Sequence, residues 1–319
     1  MKTLNAILRK HGSALVALLL VFAATGCDSL NNEEPEVAAL SQEDLEAASS
    51  ILAESLSDQN EGLMANLNDM TAEIGVTRLS YSNRNFWSNP GLRPCRGEDR
   101  SFEKTYDETT GIHAINYSRN VESEVCSKDV AVNLNYTFTD ENGEYIEFPR
   151  LNRGDIASIA FEGSRVGSGS YDSRRGARAV TFDHAGEWNL TGLQSDVASL
   201  TGSQTNSGSY ETTRQDSSGN AQTQSGTYNL AFSTVDVTIA TDDSEDSELE
   251  NQITGAIQYT MTMEKTINGE TEMQDVEGTI ELEGNGRAVL RFLGLRKIYR
   301  ITLRDGDITD TDGETGGDG

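Results

Sequence analysis

The sequence predicts a mainly β chain. The expected fold is an antiparallel meander of long hairpins, a curved sheet or an open up-and-down barrel, with an N-terminal α-helix packed on one face. Three observations predict it. Asp129 to Asp140 alternates almost strictly, so that Val130, Val132, Leu134, Tyr136 and Phe138 share one face of a strand. A motif recurs about every 40 residues, the length of one long hairpin. Between residues 41 and 75 the apolar residues instead recur at helical steps, through Leu45, Ala48, Leu52, Leu56, Leu63, Leu67, Met70 and Ile74.

Taken in order, residues 1–26 have the parts of an export signal. Lys2, Arg9 and Lys10 form a positive head, and Ala14 to Ala24 is an apolar run too short for a comfortable membrane span. The run ends Ala24-Thr25-Gly26-Cys27. This segment resembles the signal peptides of bacterial lipoproteins, with Ala where Leu is commonest in their box. The resemblance implies cleavage before Cys27, lipidation of its thiol and acylation of the new amino group. Acyl chains anchor at about 0.8 kcal/mol per buried methylene. An ordinary secretory signal with an incidental cysteine is the alternative. The expected location is a bacterial envelope, most plainly the outer membrane. Asp28 resembles an inner-membrane retention signal and Glu33-Glu34 a surface-export signal, so the leaflet stays open.

Residues 27–40 are polar and acidic with Pro35, and suit a flexible tether. For the helix over 41–75, Ser41 with Asp44 three residues on supplies an N-terminal cap, and Gly62 is a place where it splits in two. Residues 76–154 form a first β segment. Within it, Glu141-Asn142-Gly143-Glu144 is expected to turn the chain into a returning strand, Tyr145 to Phe148. Ile267-Asn268-Gly269-Glu270 repeats the device.

Residues 155–308 hold the repeat in the same domain. Ser168-Gly169-Ser170-Tyr171 recurs as Ser207-Gly208-Ser209-Tyr210, and Gly186-Glu187-Trp188-Asn189-Leu190 as Gly226-Thr227-Tyr228-Asn229-Leu230. A weaker third copy runs from Gly255 to Leu282. A glycine before each aromatic eases bending or lets another backbone approach. Residues 309–319, rich in Asp and Gly, are expected to be a disordered acidic tail. Asp310-Thr311-Asp312-Gly313 resembles part of a calcium loop, but the first and twelfth ligand positions hold Ile308 and Gly319.

Charge excludes some partners. The 319 residues carry a formal net charge of −27; without Lys2, Arg9 and Lys10, which precede Cys27 while every acid follows it, the value becomes −30. Such a chain repels nucleic acid and anionic membrane surfaces, so the expected membrane attachment is the N-terminal lipid. Abundant acid with few Lys resembles proteins of salt-adapted organisms; a calcium-collecting surface is the rival reading.

Chemistry is sparse. No His/Cys cluster suggests zinc and no glycine loop suggests phosphate, so no cofactor, metal or catalytic residue is assigned. Asp183-His184 offers a base without a nucleophile elbow. Cys95 and Cys126 are expected to pair if the chain is exported, with two buried free thiols as the alternative. Two ligand-binding candidates stand out. Arg84, Phe86, Trp87 and Arg93 make a basic, aromatic loop beside Cys95. Arg296, Arg300 and Arg304 share one face of a strand, a cradle for an anionic glycan or lipid head, unless they form a ladder to Glu277, Glu281 and Glu283. The expected function is a non-enzymatic binding or scaffold module with an envelope protein or anionic ligand as partner. A carrier holding a lipid or apolar ligand between helix and sheet is the alternative, and a carboxylate hydrolase the third.

Overall fold

In a computed structural model of the chain, the residues described are 40–74, 99–123, 126–173, 176–215, 221–241, 248–267 and 270–310. They belong to one compact unit. Its elements are α1 (Gln42–Leu56), α2 (Leu63–Ile74), β1 (Asp99–Asp107), β2 (Ile112–Glu122), β3 (Cys126–Thr139), β4 (Ser158–Ser173), β5 (Gly176–Thr191), β6 (Val197–Gln215), β7 (Ala221–Ala240), β8 (Ile253–Ile267), β9 (Glu270–Glu283), β10 (Arg287–Phe292), β11 (Ile298–Thr302) and β12 (Ile308–Asp310). The twelve strands form one antiparallel sheet in chain order, with β1 and β12 at its edges. This is the meander that the alternation predicts.

The helical stretch is two helices. Ser41 and Asp44 form a reciprocal capping box, the Ser41 hydroxyl accepting from the Asp44 N–H at 3.1 Å. Gly62 sits at the break because the chain folds back there. A Cβ at this position would lie 2.5 Å from the Ser55 carbonyl oxygen. The stripe Leu45, Leu52, Leu56, Leu63, Leu67 and Met70 is buried, each residue 7% exposed or less. Each such side chain contributes about 1.5–3 kcal/mol relative to exposure.

The sheet curls around this hairpin of helices. Residues 58–61 are met by Arg119 of β2, Lys128 of β3, Arg165 of β4 and His184 of β5, while the Asp58 and Gln59 N–H groups donate to the carbonyls of Leu303 and Arg304 just beyond β11. Laid flat, β2 and β11 would stand about 43 Å apart at about 4.8 Å per strand. Four residues span at most about 14 Å. Only a strongly curved sheet brings both to one turn.

Strand parity decides which side chains face the helices. On β4 these are Ile159, Phe161, Gly163 and Arg165; on β5, Phe182, His184, Gly186, Trp188 and Leu190. On β7 the parity switches from Leu230 and Phe232 to Val237 and Ile239, because one extra residue is inserted at Asp236, whose φ is +54°. The repeated motifs lie on β4–β5 and β6–β7, and the weaker copy on β8–β9.

Two expectations about turns change. The Asn142-Gly143 turn, with Gly143 at φ +82°, makes only an isolated bridge between Thr139 and Tyr145. Tyr145 to Phe148 is not a strand, since Ile156 and Ile159 take the inward positions after Phe138 and β4 occupies the free edge of β3. The tail is also shorter than expected at its start. Thr309 and Asp310 pair with Arg300 and Tyr299 as β12, which covers the edge of β11. In contrast, Ile267 pairs with Glu270 across the second Asn-Gly pair, the register of a two-residue hairpin connection.

Candidate functional site

The most unusual chemistry among the described residues is a buried network of charged and polar groups between the helix hairpin and strands β2–β6. It exists because five strands place polar groups at inward positions in adjacent rows. Tyr117, Val132, Arg165, His184 and Asn206 lie side by side across β2 to β6. Opposite them, Glu61 precedes α2, and Asn66 and Asp69 lie on α2.

Arg165 is the hub and is completely buried. Its Nε donates to Asn66 Oδ1 at 2.6 Å, its Nη1 to Glu61 Oε2 at 2.6 Å and to the Tyr117 hydroxyl at 3.0 Å, and its Nη2 pairs with Asp69. Tyr117 in turn donates to Asp69 Oδ2 at 3.2 Å. The other oxygen of Glu61 takes Arg119 at 2.5 Å and Lys128 at 3.2 Å. Asn66 continues the chain by donating to Gln204 Oε1 at 2.9 Å, and Gln204 donates to Asn206 at 2.7 Å.

Burial opposes the charge on Arg165, but Tyr117, Asp69 and Glu61 outweigh it and hold its pKa well above the ordinary arginine value. Burial pulls Lys128 below its usual value despite the neighbouring Glu61. Glu61 itself has φ +62°, a left-handed conformation costing a non-glycine residue about 1–2 kcal/mol. It is held there from three sides: its carboxylate by the cations, its carbonyl by His184, and its N–H by the Asp58 carbonyl at 3.2 Å. A second, smaller tie joins Arg178 of β5 to Glu54 at 2.5 Å, and a third joins Lys265 of β8 to Asp44.

His184 is buried, and its Nδ1 donates to the Glu61 carbonyl at 2.9 Å, so the neutral ring carries its proton there. Burial lowers its pKa to about 4, with the nearby Arg165 adding to the effect. The unfolded chain has an ordinary imidazole near 6.5. Stability is therefore complete above pH 6.5 and is lost as pH falls from 6.5 to 4, by roughly 3 kcal/mol in all. In His184→Asn, whose amide can reach the Glu61 carbonyl, the fall in urea midpoint between pH 7 and pH 4.5 is expected to shrink by most of that amount. An unchanged pH profile would remove His184 as its source.

The arrangement binds the chain to itself. Both carboxylates are paired with cations, and the histidine is held neutral. Asp183 faces the opposite, exposed side of β5 from His184, and the two do not act together. No group of three or more His, Cys, Asp or Glu positioned for a metal occurs among the described residues.

The residues singled out in the sequence fall elsewhere. Cys27, Arg84, Phe86, Trp87, Arg93 and Cys95 lie outside the described residues. Cys126 is buried beside Val121 at the start of β3. Arg300 lies exposed on β11 while Tyr299, Ile301 and Leu303 point inward. Arg296 and Arg304 stand on the turns flanking that strand, not in it, because β11 spans only five residues. Arg304 pairs with Glu248 at 3.0 Å, not with Glu277, Glu281 or Glu283, and Glu281 is met by Arg291 of β10 at 3.4 Å.

Arg165, Glu61 and Asp69 were not singled out. The readable signal is a charge in phase with an apolar strand face: Phe161-Gly163-Arg165 on one strand and Phe182-His184-Gly186-Trp188 on the next. Comparison with protein families, with curated proteins and with solved structures returns no match, so function must be argued from the chain's own residues.

Proposed function

We propose that this chain is an exported, lipid-anchored envelope protein that acts as a non-enzymatic binding or scaffold module. The observation that carries the reading is the occupancy of the curved sheet by the protein's own helix hairpin. Leu52, Leu56, Leu63, Met64, Leu67 and Met70 fill it, each 1% exposed or less, and the Arg165 network locks them in place. The outer face is then the surface left for a partner. It is lined with hydroxyl and amide groups, among them cross-strand pairs Ser127–Ser170 and Thr181–Ser209, each at 2.8 Å.

A shallow groove of about 350 Å³ crosses it, lined by Asn133 and Asn135 of β3, Glu162 of β4, Glu187 of β5, and Ser203 and Thr205 of β6. Glu162 and Glu187 are direct cross-strand neighbours. Their charge disfavours an anionic glycan there and favours a neutral polar partner; the Arg296–Arg300 side carries the positive charge that an anionic ligand needs. Attachment to the membrane is assigned to a lipidated Cys27, and a Cys95–Cys126 disulfide belongs to the same reading of an exported chain. Non-reducing peptide mapping should find these two cysteines linked; free thiols at both would withdraw the disulfide.

The deciding experiment is Cys27→Ser. The variant is expected to leave the membrane fraction for the soluble one after cell lysis, while the wild type floats with membranes. Retention of the variant would sink the lipid-anchor reading. The carrier remains the second reading, for one reason. The hairpin precedes every described strand, so it can be displaced without breaking a ladder among them, and this would uncover Phe161, Trp188, Phe232 and Met261. Native mass spectrometry of delipidated protein separates the two: a co-purifying apolar ligand favours the carrier, and the bare mass favours the scaffold.

A further inference from the structure

The turn between α1 and α2 carries a second buried polar cluster, distinct from the Arg165 network. Four segments meet there through successive backbone hydrogen bonds. The Asp58 N–H donates to the Leu303 carbonyl at 3.0 Å, the Leu303 N–H to the Gly286 carbonyl at 2.9 Å, and the Gly286 N–H to the Glu250 carbonyl at 2.9 Å. This brings the hairpin turn, the connection after β11, the turn between β9 and β10, and the short 3-10 turn Leu249–Asn251 before β8 into one place.

The side chains of Asp58, Asn68 and Glu250 are 9%, 0% and 4% exposed. Asn68 Nδ2 donates to Asp58 Oδ1 at 3.0 Å and is also within hydrogen-bonding reach of Glu250. Two oxygens are left over: Asn68 Oδ1 and Glu250 Oε2 are both buried with no hydrogen-bond partner. Leaving such groups dry and unpaired costs about 1–3 kcal/mol each, and more for a charge. Burial first, and the charge of Asp58 second, raise the pKa of Glu250.

We propose that Asp58, Asn68 and Glu250 form a calcium site that ties the helix hairpin to the strand connections around it. The donors are all oxygens, two from carboxylates and one from an amide, which is the chemistry of a hard cation. They come from three separate elements, the hairpin turn, α2 and the 3-10 turn before β8. That suits calcium, which accepts irregular coordination completed by water, better than magnesium, which demands an octahedron. Asn68 is the informative member. Its nitrogen faces both carboxylates, and a half-turn of the amide, which exchanges nitrogen and oxygen, would give an ion between them the oxygen that now has no donor. With two carboxylates, the expected Kd is about 10⁻⁴–10⁻³ M, the range of extracellular modules. The proposal does not depend on the lipid anchor or on the scaffold reading.

The test is calorimetric titration of calcium chloride into EDTA-treated full-length protein, with a thermal melt in parallel. Binding near one equivalent and a rise of about 3–5 °C at saturating calcium are expected. Glu250→Gln should weaken binding at least tenfold, while the distant exposed Glu103→Gln should not change it. No binding in the wild type overturns the proposal without reference to any variant. So does equal binding by Glu250→Gln, which would place the ion elsewhere. A melt that does not move at saturating calcium overturns it as well.

Discussion

Arg165→Met is expected to destabilise the protein by about 3–4 kcal/mol and to lower its melting temperature by roughly 10 °C. The side chains have similar reach, so the change removes charge and donors more than volume. Glu61 keeps Arg119 and Lys128, so only part of its environment is lost. Asp69 loses more: the cation paired with its Oδ2 goes, while the Tyr117 hydroxyl still donates to that oxygen at 3.2 Å. Breaking one side of a buried ion pair typically costs about 3–5 kcal/mol, because the stranded charge stays desolvated. A domain of this size shifts its melting temperature by about 2–4 °C per kcal/mol.

Urea unfolding followed by tryptophan and by circular dichroism checks this. An intact slope with a lower midpoint means that the whole domain is destabilised; a lower slope means that the hairpin detaches first. The double variant Arg165→Met/Asp69→Leu should lie closer to wild type than the single one, since replacing both partners of a buried pair by apolar groups is often close to neutral. A single variant within about 1 kcal/mol of wild type would mean that the network contributes little beyond packing.

The network and the meander differ in how far they can be read from residues alone. A strand's face follows from a period of two, which is local. Val130 to Phe138 therefore announce β3 without any knowledge of its neighbours. The capping box at Ser41 and the break at Gly62 are equally local. Arg165 is not. Its inward phase is visible beside Phe161 and Gly163, but a buried guanidinium is tolerable only with partners, and these lie about 100 residues earlier, at Glu61 and Asp69. The same distance hides Glu250, which acquires meaning only when Asp58 and Asn68 arrive beside it. Short strands are a further cause. Arg296 and Arg304 alternate in phase with Arg300, yet β11 ends before it reaches them. Alternation says which face a residue would take in a strand, and not where hydrogen bonding stops.

The repeated Ser-Gly-Ser-Tyr motif gives two glycines that look equivalent in sequence and are expected to behave oppositely. Gly208 on β6 lies opposite Tyr228 on β7, and Tyr210 lies opposite Gly226, so each ring covers the other strand's glycine. A Cβ at Gly208 would stand 2.1 Å from the Thr181 carbonyl oxygen and 2.9 Å from the Tyr228 hydroxyl. Gly208→Ala is therefore expected to cost about 2–3 kcal/mol through overpacking. Adding Tyr228→Phe should recover little, because the clash with the Thr181 carbonyl is with backbone. Gly169 on β4 holds the matching position in the first copy, but its cross-strand partner is Val180. A Cβ there meets nothing closer than 3.7 Å. Gly169→Ala should then be neutral or stabilising by up to about 1 kcal/mol, the usual gain when alanine replaces glycine inside a strand. Urea midpoints of the two variants measured side by side decide the matter, and equal midpoints would refute it. The difference follows from what the neighbouring strand supplies. Where it offers an aromatic ring, the glycine is a seat for that ring and for a close carbonyl; where it offers a valine, the glycine is only an absent side chain.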